Sequence, residues 1–106
     1  MKIPKKIKIG GHWYVVKFPY KFVERVDVFG QIDHPSEEIR IAGVDSGGTP
    51  RAEATIAVTF LHETFHAIDI VTGQDMFVGP EKDKRCIALS EGLYQVFVDN
   101  PGLDFR

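Results

Sequence analysis

The chain has one cysteine, Cys86, among its 106 residues. No disulfide can form within it, so a fold this small must be held by its core or by some other staple. No apolar run approaches the roughly 18 residues of a membrane-spanning helix, and the opening MKIPKKIKIGG has no apolar centre of the kind a signal peptide carries. The sequence therefore reads as cytoplasmic, without a membrane partner. An excess of one charge is also lacking. The 13 basic and 15 acidic residues leave a net charge of -2 with no long run of either sign, so nucleic acid is not an expected partner. Lys2, Lys5, Lys6 and Lys8 cluster locally and read as a solvated face. The single Asn and three Gln lean faintly toward a heat-tolerant composition, because these amides are labile.

Hydrophobic residues make up 43% of the chain, enough for one core and one domain over residues 1–106. Its front half reads as strands. Ile7 and Ile9 alternate with lysines, Gly10-Gly11 supplies a turn, and HWYVVKF resumes with β-branched and aromatic residues. VFGQID and EEIRIA are two further extended candidates separated by HPSE. The back half reads as two helices. Thr49 followed by Pro50 predicts a helix entry and Gly73 its stop, giving an apolar central helix over residues 50–72. A second helix is predicted from Pro80 to about Val98. The fold class is α+β: a small, mainly antiparallel N-terminal sheet packed on a central helix, then a C-terminal helix and a short tail.

FLHETFHAID lies inside the central helix. At about 100° per residue, His62 and His66 are roughly 40° apart around the axis and about 6 Å apart along it, so both imidazoles can reach one ion. Glu63 lies beside that face. This is the spacing of His-Glu-x-x-His, in which two histidines hold zinc and the glutamate serves as general base toward a water. Two imidazoles and a carboxylate on an apolar helix would otherwise lack partners.

A catalytic zinc takes three protein ligands, and Glu91 is the expected third, on a helix face shared with Ile87, Ala88, Tyr94, Gln95 and Val98. Asp69, seven positions after His62, competes for the role but suits better a partner for the free ring N–H of a ligand histidine. Glu81 and Asp83 are explained by the positive end of the second helix. Cys86 lies about 140° round the helix from Glu91 and reads as a buried small hydrophobe. His12 and His34 read as structural or solvent-facing.

His62-Glu63-Thr64-Phe65-His66, followed by Glu91 on the next helix, resembles the gluzincin metallopeptidases of the thermolysin-like tribe, and the length and strand-rich front resemble the minigluzincins among them. The resemblance implies zinc held by His62, His66 and Glu91, with Glu63 as general base and acid in hydrolysing a peptide or protein substrate. The oxyanion-stabilising group of larger relatives has no motif match here, leaving Tyr94 and His34 as candidates. A substrate strand is expected along EEIRIA as an open edge. The resemblance also implies latency through the C-terminal segment, residues 101–106, with Asp104 or the terminal carboxylate of Arg106 reaching over the zinc; a frayed tail is the alternative. A non-catalytic, zinc-stabilised domain that binds a peptide or partner stays open beside the enzyme. So does a monomer beside a segment-swapped homodimer.

Overall fold

The structure, a computed structural model, describes residues 2–23 and 28–103. Strands β1 (Lys6–Ile9) and β2 (His12–Tyr20) form the expected hairpin, and β3 (Gly30–Asp33) pairs antiparallel with β4 (Glu38–Ala42). β4 also runs parallel beside β2, which gives the order β1-β2-β4-β3 and makes the sheet mixed. EEIRIA is therefore an inner strand, and the open edges are β1 and β3. The alternation in β4 reflects its two faces. Ile39 and Ile41 are buried, whereas Glu38 and Arg40 lie on the opposite face, which no helix among the described residues covers. There Arg40 donates to Glu38 at 2.6 Å and to Gln31 at 3.0 Å.

Helix α1 (Glu53–Thr72) crosses the other face of the sheet. Phe60 and Ala67 join Ile9, Tyr14, Val16, Ile39 and Ile41 in the core, with Ile56, Ile68 and Val71 packed around them. The helix starts three residues later than Thr49-Pro50 predicts. Asp45 Oδ1 accepts the amides of Gly47 and Thr49 at 2.9 Å each, and Pro50 bridges Val44, so this stretch closes a loop instead of capping a helix. The stop is as expected: Gly73 adopts φ 66° and its N–H bonds the carbonyl of Asp69.

Helix α2 (Pro80–Asp99) packs on the flank of α1. Its buried residues are Cys86 and Ser90. The face expected to turn inward does not, since Ile87 is 41% and Val98 55% exposed. Among the described residues no helix is long and apolar enough to cross a membrane.

Candidate metal centre

His62 and His66 face α2 from successive turns of α1, and Asp83 meets them from the first turn of α2. The two Nε2 atoms are 3.0 Å apart, and Asp83 Oδ1 lies 2.8 Å from that of His62 and 2.7 Å from that of His66. Each Nε2 has one in-plane position, filled by a proton or by a lone pair. No placement of protons makes all three contacts full hydrogen bonds: with both nitrogens protonated toward the carboxylate, two N–H groups confront each other. A cation among the three atoms removes the conflict. Bonds of about 2.0–2.2 Å in a tetrahedron would separate the donors by roughly 3.3–3.6 Å, so the triangle would open by several tenths of an ångström to take the ion.

Cys86, one turn after Asp83, completes a cluster of four residues that could hold a metal ion, their ligand atoms lying within 4.8 Å of one another. The three nitrogen and oxygen separations are all 3.0 Å or less, so Cys86 Sγ is the outlier of the group. It is directed at the carbonyl oxygen of His62, 3.5 Å away. Burial, with the charges of Asp83 and Glu63, pushes the Cys86 thiol up to about 12. Asp83 goes the other way: burial raises its carboxyl, but hydrogen bonds from His62 and His66 outweigh this and hold it below its ordinary value.

Glu63 is 7% exposed and lies on the sheet side of the histidines, its Oε2 4.0 Å from His62 Nδ1. Burial raises its carboxyl above the ordinary range against the attraction of the two histidines, and Asp83 adds to the rise. The side chain points at β3. A Cβ added to Gly30 would lie 2.8 Å from Glu63 Oε2 and 2.6 Å from Thr59 Cγ2.

Glu91, the expected third ligand, is exposed on α2 and is not brought to the histidines. Asp83 stands there in its place, about two turns nearer the helix start. The reason lies in the helix phase: Cys86 and Ser90 set the buried face, and Asp83 shares it while Glu91 does not. Position 83 thus combines the expected helix-end carboxylate with contact to both imidazoles.

Asp69 does not accept from a histidine. Its two carboxylate oxygens take the amides of Met76 and Phe77 at 2.8 and 2.9 Å, clasping the loop between the helices. Phe77 in turn stands edge-on to His66, ring centroids 6.1 Å apart. The Met76 amide first, and then that of Phe77, overcome burial and hold the Asp69 carboxyl below its ordinary value. A depressed folded value means that the clasp is at full strength above the ordinary carboxylate range near pH ~4 and is lost as pH falls through the lowered value. Asp69→Asn should therefore destabilise the fold at neutral pH, with the deficit shrinking in acid. Exchange of the Met76 and Phe77 amides should quicken roughly tenfold or more, read by hydrogen-exchange NMR.

His34 is engaged elsewhere, its Nδ1 2.6 Å from the Tyr14 hydroxyl, and His12 is exposed with Nδ1 3.2 Å from Glu37. Tyr94 lies three turns along α2 from Asp83, about 16 Å away. Beyond α2 the N–H of Leu103 bonds the carbonyl of Asn100 in a turn over Pro101-Gly102. Asp104 and Arg106 lie outside the described residues. Comparison with protein-family models, with curated proteins and with solved structures finds no match, and the reading of the centre rests on its own geometry.

Proposed function

We propose that the chain is a zinc-dependent metallopeptidase in which His62, His66 and Asp83 hold the ion and Glu63 is the general base and acid. The observation that carries this reading is the convergence of three donor atoms within 3.0 Å beside a buried glutamate. Two histidines and a carboxylate suit zinc and leave one position of a tetrahedron open. Bound there, zinc would supply a Lewis acid that polarises a peptide carbonyl and a water.

The chain's own residues would do the rest. Glu63 takes a proton from the water as its oxygen bonds the carbonyl carbon, then passes that proton to the amine nitrogen as the C–N bond breaks. Substrate would pair with β3. The bond from the Ala42 amide to the Phe29 carbonyl sets the ladder phase, so Gln31 and Asp33 face β4 while the backbone groups of Gly30 and Ile32 turn to the open edge. An extended peptide added there would pass beside Glu63.

The place of Cys86 in the cluster supports a second reading, a closed four-ligand zinc site that staples the fold without turnover. Cobalt substitution separates the two. Three-ligand binding predicts no thiolate-to-cobalt charge-transfer absorption, a Cys86→Ser variant with zinc affinity within about threefold of the parent, and peptide hydrolysis by the zinc-loaded protein. A strong charge-transfer band, with metal loss in Cys86→Ser and no hydrolysis, would establish the closed site.

A further inference from the structure

Gly30 is a residue of an open edge strand with no need of glycine's conformational freedom. Its φ is not in the left-handed region, unlike that of Gly10 or Gly73. A strand generally gains from a side chain, which packs on its neighbours and restricts the unfolded chain. What distinguishes the position is the space it leaves. A Cβ there would meet Thr59 Cγ2 at 2.6 Å, Glu63 Oε2 at 2.8 Å and Glu63 Cγ at 3.1 Å, all closer than ordinary contact. Thr59 and Glu63 are successive turns of α1, so the bare strand backbone seats directly against the helix stripe that carries the base.

We infer that Gly30 is a positioning residue for Glu63: its missing side chain forms the slot that seats the carboxylate at the open edge of β3, where a paired peptide would pass. The inference rests on the peptidase reading given above. Within the slot, Thr59 and Glu63 are constrained differently. The Thr59 hydroxyl accepts from Arg51 and donates to the carbonyl of Thr55 at 2.9 Å, and the Thr59 atom nearest the added Cβ is its methyl carbon. Serine at 59 keeps those bonds and removes the methyl. The Glu63 carboxylate has no such release, because the added Cβ presses on its Oε2 at 2.8 Å and on its Cγ at 3.1 Å, and the side chain must move for the methyl group to fit.

The test compares Gly30→Ala with Gly30→Ala/Thr59→Ser in zinc-loaded protein. Readouts are zinc affinity, melting temperature, kcat and KM on an unstructured peptide, and a crystal structure of the single variant. The expected single variant holds zinc with affinity within about threefold of the parent and shows the Glu63 carboxylate displaced by roughly 1 Å or more. Its kcat falls by about tenfold to a hundredfold, as a 1 Å misplacement can bring. Adding Thr59→Ser should restore the melting temperature but not kcat. Recovery of both together would mean that Gly30 serves packing alone, and an unmoved Glu63 in Gly30→Ala would overturn the inference outright. An inactive parent protein would instead remove the peptidase reading, and the crystal structure would still decide whether Gly30 seats Glu63.

Discussion

Asp83→Ala is expected to lower zinc affinity by roughly a hundredfold or more, while Glu91→Ala leaves it within about threefold. Even partners one step removed from a metal are commonly worth 10- to 100-fold in affinity, so a directly bound carboxylate sets a lower bound at the upper end of that range. The contrast is steep because the two acids stand in opposite settings. Asp83 Oδ1 is within 2.8 Å of both imidazoles, whereas Glu91 is exposed on another face of α2. Competition against a chelating dye measures both variants. Asp83→Asn, of nearly the same shape, separates lost ligation from lost packing. A parent-like affinity in Asp83→Ala would remove Asp83 from the ligand set, and a hundredfold loss in Glu91→Ala would return the third ligand to position 91.

Glu63→Gln should retain zinc and lose hydrolysis by about 10²- to 10⁴-fold, the range general-base catalysis contributes. The amide fills the same slot against Gly30 and Thr59, so it opens no cavity and removes only the ability to accept a proton. Glu63→Ala should give the same catalytic loss with some loss of stability, because the side chain is buried between α1 and β3. Steady-state kinetics on metal-reconstituted protein, with stoichiometry measured on the same samples, decides the matter. Parent-like turnover in either variant would end the assignment of Glu63 as the base.

His62, Glu63 and His66 were legible because everything that unites them is local. Four residues of one helix fix the spacing of the imidazoles whatever the sheet does. The third donor depends on the rotation of α2 about its axis, and there the expectations conflicted. Cys86 as a buried residue and Glu91 as an inward one are about 140° apart, so both could not hold. Cysteine is among the most consistently buried residue types, and taking it as the marker of the inward face would have selected Asp83, one turn earlier. The apolar residues misled instead, because Ile87 and Val98 lie on parts of α2 that α1 does not cover.

The fold shows a similar division. The β1–β2 hairpin, both helices and the stop at Gly73 follow from turn chemistry and short-range pattern. The order of the strands does not. Glu38, Ile39, Arg40 and Ile41 alternate as an edge strand would, yet an inner strand with one uncovered face alternates identically. Only the parallel pairing of β4 with β2, a contact between distant parts of the chain, places β3 at the edge beside Glu63.

The position of Asp83 in the first turn of α2 also changes what a blocking group would have to be. Measured from position 91, the end of α2 is about 12 Å away, within range of a short returning tail; measured from position 83 it is about 24 Å. A carboxylate delivered to the fourth position from beyond α2 would therefore have to lie back along about 24 Å of that helix, so that the exposed face of α2 itself would be the track a silencing segment must occupy.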